Sequence, residues 1–293
     1  MDRLHEMELF VRVVESGSFS AAGRDFKLGQ PAISKTIAAL EERLGVRLLV
    51  RSTRQLSPTE AGTAFYERAL RAIAEANEAE AAAQGAGAGL EGRLRICSPV
   101  TFARLHLVPK LGAFLDAHPK LRLELVMDDR PIDLVAESID AGLRLGTLTD
   151  SALTVRKLAQ AERRVVASPA YFARRGVPNT PADLLDHDGI VYGQSSGGME
   201  WLFRRGTSET SIRIQGRLTL SAAEGVREAV LAGQGFAVSS QWMFAAELES
   251  GEVVSVLKDW TLPRMDLWAV YPSGRLTSTK ARAFLKWFEK VIA

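Results

Sequence analysis

The sequence predicts a multidomain chain: an N-terminal all-α winged helix-turn-helix, a long linker helix, and then a two-lobed α/β domain. Three observations carry this. Apolar residues recur at helical spacing from Met7 to Leu44, interrupted twice by turn residues. The glycine/alanine stretch GAGAGLEG then marks a linker. Beyond it, short strands and helices alternate to the end of the chain, over a length too great for one compact α/β unit.

The elements follow in order. Met7, Phe10, Val11 and Val14 give a first helix, which ESGSFS breaks. Ser18 is placed to cap a short second helix running to about Phe26, and KLG is a tight turn. A third helix runs from Gln30 to Leu44, with Ile33, Ile37, Leu40 and Leu44 on one face and Gly45 as its terminator. Pro31 falls in its first turn, where the missing N–H is harmless. Two helices joined by a turn of about three residues form a helix-turn-helix. VRLLVRSTRQLSPTEAG reads as two short strands around a polar tip, a wing. Within it SPTE has the form of a capping box, with Ser57 as cap, Pro58 in the first helical position and Glu60 reaching back.

That box opens the longest helix, about residues 58–84. Phe65, Ala69, Ala72, Ala76, Ala79 and Ala83 alternate spacings of four and three. Such a thin stripe suits a second copy of the chain; it also allows the helix to lie on its own domain. Past the linker, GRLRICSP is a strand, FARLHLVPKLGAFLDAHP a helix, LRLELVM a strand, IDLVAESID a short helix and AGLRLG a strand. This order implies a mostly parallel sheet. The pattern repeats more loosely. RRVVASP, GIVYG, IRIQGRLTL, GFAVSS and MDLWAVYP read as strands, and AAEGVREAVLAG, QWMFAAELESG and STKARAFLKWFEKVIA as helices. The expected domains are 1–58, 59–91 and 92–293. The last divides into lobes of about 92–160 plus 264–293, and about 161–263.

Composition narrows the function. Hydrophobic residues make up 46% and charged residues 25%, an ordinary globular balance. The formal net charge is +2, so any nucleic-acid binding must use a local patch. There is one cysteine, Cys97, expected as a buried strand residue; no internal disulfide can form, which fits a reducing compartment. Acids interrupt the first apolar run, and no run approaches the roughly 20 apolar residues of a membrane span. A cytoplasmic, nucleoid-associated protein with no membrane partner is expected. His5, His106, His118 and His187 share no metal-ligand spacing, the glycine stretches lack a dinucleotide-binding context, and YGQSSGG lacks a nucleophile elbow. No enzyme, metal or cofactor is expected.

The third helix carries the chemistry that remains. With its apolar face inward, Pro31, Lys35, Ala38 and Glu42 point away at about 100° per residue, with Ser34 on the flank. That outer face is small and polar near its start, as entry into a major groove requires. Gln30 suits an adenine edge, Lys35 a guanine or phosphate, and Ser34 either role. From Arg24 to Arg54 there are seven basic residues against three acidic ones. Arg51, Thr53 and Arg54 at the wing tip are placed for DNA backbone or minor groove. A helix-turn-helix can also serve protein contacts.

These residues resemble a family. GSFSAAGRDFKLGQPAISKTIAALEERLGVRLLVRSTRQLSPTEAG is similar to the N-terminal domain of LysR-type transcriptional regulators. The shared features are the Ser-Phe-Ser-Ala-Ala opening, Gln-Pro-Ala-Ile-Ser, Leu-Glu-x-x-Leu-Gly, an arginine-rich wing and Thr-x-x-Gly. Later stretches such as SPVTFARLHLVP and AVLAGQGFAV resemble the family's effector domain, so the likeness spans essentially the whole chain. The resemblance implies a dimerising linker helix and a periplasmic-binding-protein-like effector domain. It also implies double-stranded promoter DNA, a small-molecule effector and a second copy, as homodimer or homotetramer, as partners. Ser20, Gln30, Pro31, Ser34 and Lys35 would then lie at the groove. Gly23 departs from the usual alanine, at a helix-propensity cost of about 1 kcal/mol. Gly29 replaces the usual serine cap, and Val50 a frequent aromatic or acidic residue.

The same resemblance puts a ligand between the two lobes, where strand ends meet helix starts. Ser98, Val100 and Thr101 in CSPVT, Gln194 and Ser195 in QSSG, and Ser221 in TLSAAEG qualify. Their hydroxyl and backbone N–H groups would favour an anionic metabolite. Each serine also reads as a plain helix cap.

Overall fold

The computed structural model describes residues 2–51, 56–84, 90–148, 153–193, 200–214, 216–272 and 278–292. The chain falls into two compact units, Met1–Gly92 and Arg93–Ala293.

In the first unit, α1 (Arg3–Ser16) begins at Asp2, whose carboxylate accepts from the N–H groups of Leu4 and His5. α2 (Phe19–Asp25) is capped by Ser18, whose hydroxyl accepts from Ala21 N. α3 (Gln30–Leu44) has Gly29 as its uncapped entry and the left-handed Gly45 as its exit. Phe10, Val13, Ile33, Ile37 and Leu40 meet in a core with no exposed surface. Burying each such side chain contributes about 1.5–3 kcal/mol.

Two expectations about faces are corrected here. On α1 the buried side is Leu9, Phe10, Val11 and Val13, while Met7 and Val14 are only half-buried. On α3, Leu44 is 37% exposed, and Glu41 takes the inward place at 7%. The reason is a need for acceptors. The Glu41 carboxylate receives Leu48 N at 2.7 Å and Leu49 N at 3.0 Å, with Arg47 at 3.3 Å. A buried N–H left unpaired would cost about 1–3 kcal/mol.

The wing pairs β1 (Leu49–Arg51) antiparallel with β2 (Leu56–Pro58), Leu49 opposite Pro58. Its tip, with Thr53 and Arg54, lies outside the described residues, as does the Arg51 side chain. Ser57 and Pro58 belong to β2, so the expected capping box is corrected. The cap of α4 (Glu60–Gln84) is Thr59, whose hydroxyl accepts from Gly62 N at 2.9 Å and donates to Arg47 O at 2.8 Å. Thr59 N also donates to Leu48 O. This closeness explains the glycine three residues on: a Cβ at Gly62 would stand 2.0 Å from Leu48 O. Phe65 packs edge-on against Phe10 at 5.2 Å and Ala69 is buried, whereas Ala72 and Ala76 are half-buried and Ala79 is exposed.

In the second unit, β3 (Gly92–Ser98) leads into a helical run at 100–117. It comprises α5 (Val100–Phe102), a π-turn (Ala103–Leu107), a 3-10 turn (Val108–Lys110) and α6 (Leu111–Ala117). β4 (Leu121–Met127), β5 (Ala141–Leu145) and β6 (Leu153–Ala161) follow. After β7 (Arg163–Ala167) and α7 (Pro169–Arg175) come β8 (Gly189–Tyr192), the hairpin β9 (Glu200–Arg205) and β10 (Ser208–Arg213), and β11 (Gly216–Leu220). α8 (Ala223–Leu231), β12 (Ala237–Ser240), α9 (Ala245–Ser250), β13 (Val254–Val256), β14 (Met265–Pro272) and α10 (Thr279–Ile292) complete it.

One sheet has the order β4-β3-β5-β14-β6; the other strands form β12-β7-β13, the parallel pair β11-β8 and the hairpin. A bridge from Gly189 to Phe236 links β8 to β12. The chain therefore crosses between lobes at Glu162 and again just before Met265. β3 and β5 run parallel, but β14 is antiparallel to β5 and to β6, so the expected mostly parallel sheet is mixed. IDLVAESID is a turn rather than a helix: Asp133 caps it, Ile139 N closes on Leu134 O, and Ser138 is left-handed. IRIQGRLTL is shared between β10 and β11.

Gly62→Ala should destabilise the first unit by about 1–3 kcal/mol, the usual range for forced overpacking. Gly112→Ala on α6 is the control, since a Cβ there meets nothing within 4 Å and Ala gains about 0.5–1 kcal/mol in a helix. Calorimetry of the full chain checks both; a neutral Gly62→Ala would contradict the packing described.

Candidate nucleic-acid interface and effector cavity

On α3 the side chains of Gln30, Pro31, Lys35, Ala38 and Glu42 are exposed and Ser34 is half-buried. The structure thus brings the predicted outward residues onto one open face. Ser20, on α2, donates its hydroxyl to Gln30 Oε1 at 2.9 Å. That bond orients the Gln30 amide and leaves its NH2 to donate. The basic patch is smaller than the sequence count suggests. Arg43 pairs with buried Glu6 at 2.6 Å and Arg47 with Glu41, so both are spent within the fold. Arg24, Lys27 and Lys35 are exposed and form no ion pair among the described residues.

The second unit encloses a cavity of about 750 Å³ between its lobes. One wall is formed by the carboxyl ends of β3, β4 and β5, where ligands of such sheets usually bind. The other is formed by the start of α8, β12 and the turn that follows it. Its surface is largely apolar, with Phe102, Trp201, Phe236, Trp242 and Met243 prominent.

Ser98 and Thr101 line this cavity, as predicted, and both are buried. Val100 contributes no side chain to the lining, and Ser221 is exposed outside it. Gln194 and Ser195 lie outside the described residues. The expectation of free N–H groups at the helix start is corrected. Asp129 Oδ1 accepts Val100 N at 2.9 Å, and its Oδ2 accepts Ala223 N at 3.0 Å. Glu224 likewise accepts from Thr101 Oγ1 at 2.9 Å and from Arg104 at 2.6 Å. His106 Nε2 meets Trp242 O at 2.6 Å, and Phe102 lies edge-on to Trp242 at 5.6 Å. All of these contacts except the Asp129–Val100 bond join the two lobes. Asp129 and Glu224 were missed by sequence reasoning; the one available signal was the acidic pair DD at the end of the LRLELVM strand.

Two arginines in the lining were also missed. Arg144 donates to Ile132 O at 3.0 Å, and Arg163 donates to Pro263 O at 3.0 Å and lies over the Trp201 ring. Neither has an ion pair among the described residues. Cys97 is buried in the wall, and burial pushes its thiol up to about 11. It is a thiol, not a thiolate, at neutral pH.

Comparison with known proteins decides the family. Residues 87–293 match the LysR substrate binding domain, and residues 4–63 match the bacterial regulatory helix-turn-helix protein, lysR family. The chain is a LysR-type transcriptional regulator. It is 32% identical to the HTH-type transcriptional regulator PtxR of Pseudomonas aeruginosa, over 98% of this chain and 93% of that one. With CrgA of Neisseria meningitidis serogroup B the identity is 33%, covering 96% and 94%. The solved structure of CrgA, a LysR-type regulator from Neisseria meningitidis, superposes with a TM-score of 0.63 at 31% identity, covering 98% and 97%. The full-length virulence activator AphB of Vibrio cholerae gives 0.58 at 28%, covering 98% of each chain.

Members of this family bind promoter DNA and small-molecule effectors and form oligomers; they are regulators, not enzymes. No helix among the described residues is long and apolar enough to cross a membrane.

Two half-buried histidines predict a pH dependence for the effector domain of this LysR-type regulator. Burial, the largest cause, lowers the pKa of both His106 and His187. The unfolded chain then binds more protons than the folded one below about pH 6.5, so stability falls as pH drops through that value. Full-chain unfolding at pH 7.5 and 5.5 should show the loss, and His106→Gln should reduce the difference. A larger difference in the variant would reverse the sign assigned here.

Proposed function

We propose that the exposed face of α3 reads the major groove of promoter DNA, with the wing beside it on the backbone or in the minor groove. The observation that carries this is an open face with small residues at its start and, around it, cations that form no ion pair among the described residues. Gln30, its amide oriented by Ser20, suits an adenine edge; Lys35 suits guanine or phosphate, and Ser34 either. Pro31 permits close approach. Arg51, Thr53 and Arg54 hold phosphates from the wing. On an operator selected from a random pool, gel shifts should find Lys35→Ala weaker by about 1–3 kcal/mol and relaxed in sequence choice. Arg51→Ala should weaken all sequences alike and reduce the salt slope by about 1. Wild-type affinity in both variants would reject the assigned face.

In the second part of the reading, a small metabolite binds in the interlobe cavity beside Ser98 and Thr101, with Gln194 and Ser195 completing the site, and alters promoter binding. The size and apolar lining of the cavity support this. An anionic group on the effector would meet Arg144 or Arg163, since the Val100 N–H is already taken. α4 pairs with its counterpart in a second copy, as homodimer or homotetramer. Ala72 and Ala76, only half-buried, and the exposed Ala79 support that pairing. The protein works at the nucleoid. Leu105→Trp, which narrows the cavity, should abolish the thermal shift produced by a metabolite identified in a screen and leave operator affinity in its absence unchanged. A full shift in that variant would remove the cavity from consideration.

A further inference from the structure

Asp129 makes the contacts that a ligand carboxylate would otherwise make in this cavity. Its two oxygens take backbone N–H groups from opposite lobes, Val100 N at 2.9 Å and Ala223 N at 3.0 Å. Asp129 and Ala223 both line the cavity. Bonds from N–H to an ionised acceptor are among the stronger hydrogen bonds, and a ligand carboxylate could do no better with the same two donors. Asp128 lies beside Asp129 in the lining and is itself paired with Arg130 at 2.9 Å. The Tyr192 phenol, also in the lining, is pushed up to about 12, by burial first and then by Asp129 and Asp128. The neighbouring hydroxyl and guanidinium, Thr101 and Arg104, are committed to Glu224. Val100 N, Ala223 N, the Thr101 hydroxyl and Arg104 therefore already hold protein carboxylates at this end of the cavity.

We propose that Asp129 is a built-in occupant of the cavity's anion seat and sets effector specificity: a ligand bound with Asp129 in place turns a neutral or apolar group, not a carboxylate, toward this end. The specificity claim rests on reading the cavity as the effector site. The occupancy claim does not, and it can be tested without knowing the effector.

Asp129→Ala in the full-length chain vacates the seat, and sodium acetate is the probe, compared with sodium chloride at equal ionic strength. The variant should unfold at a lower temperature than wild type. Acetate should raise its midpoint by several degrees in a dose-dependent manner and move wild type no more than chloride does. Ala223→Pro removes one donor and keeps Asp129. Proline is acceptable at this first position of α8, because the preceding Ala222 (φ −120, ψ 134) already has the backbone that a following proline demands. This variant should be less stable than wild type and show no acetate rescue. Failure of acetate to raise Asp129→Ala, or an equal rise in wild type, overturns the proposal. Should Asp129→Ala not fold, the isosteric Asp129→Asn decides: a midpoint equal to wild type overturns it, and a depressed one supports it. A cavity that binds no metabolite would leave the acetate result unchanged, so failure of the effector reading and failure of this proposal are separable.

Discussion

Backbone N–H groups must find acceptors wherever one element hands over to the next, and in both units a carboxylate meets that need. Glu41 holds Leu48 N and Leu49 N, and Asp129 holds Val100 N and Ala223 N. Each carboxylate joins pieces that no ladder or helix joins. Glu41 projects from α3, and its two donors open the wing. These two bonds tie the base of the wing to the helix. Losing Glu41 would leave two buried donors unpaired, at about 1–3 kcal/mol each. That outweighs the few tenths of a kcal/mol that an exposed charge usually contributes. The acid on the buried face of α3 is thus an architectural necessity, not a blemish in its charge.

Glycine plays a second part in this arrangement. At Gly23 a Cβ would stand 2.6 Å from Leu28 O, and Leu28 N donates back to Gly23 O at 2.8 Å. The turn between α2 and α3 folds directly onto the helix it has left, with Lys27 in the left-handed region. A propensity scale counts Gly23 only as a cost, because it describes an isolated helix. Here the missing side chain sets the approach of the turn, and through it the position of α3.

The same distinction separates what was legible in the sequence from what was not. Ile33, Ile37 and Leu40 were readable because a helix face follows from spacing alone. Ser18 was readable as a cap because its partner, Ala21 N, is three residues away. Thr59 was mistaken for a position inside α4, since Ser57-Pro58 matches the local rule and only the closeness of Leu48 O reveals otherwise. Leu44 was misplaced because periodicity does not know where the core ends. In the effector domain Ser98 and Thr101 were visible at a strand-to-helix junction. The residues that hold their surroundings together, Asp129 and Glu224, act across separations of 94 and 123 residues. No spacing rule reaches that far. Arg144 and Arg163 carry no motif at all; their significance lies in facing a cavity without a carboxylate partner among the described residues.

The cross-lobe contacts constrain how any effector can act. A ligand shifts an equilibrium only by its differential affinity for the two states. In the arrangement seen here the lobes are already joined by Asp129, by Glu224 and by the His106–Trp242 contact, with no ligand charge required. An effector that merely replaced one carboxylate by another would gain little preference for this state over a more open one. Filling the apolar volume between Phe102, Trp242 and Phe236 is different, because that surface is assembled only when both lobes contribute. At about 25 cal/mol per Å², covering 100 Å² of it gives about 2.5 kcal/mol of preference, enough for a shift of more than tenfold. On the reading of this cavity as the effector site, covering the apolar surface shared by the lobes would therefore favour this state more than a second carboxylate at the Asp129 end would.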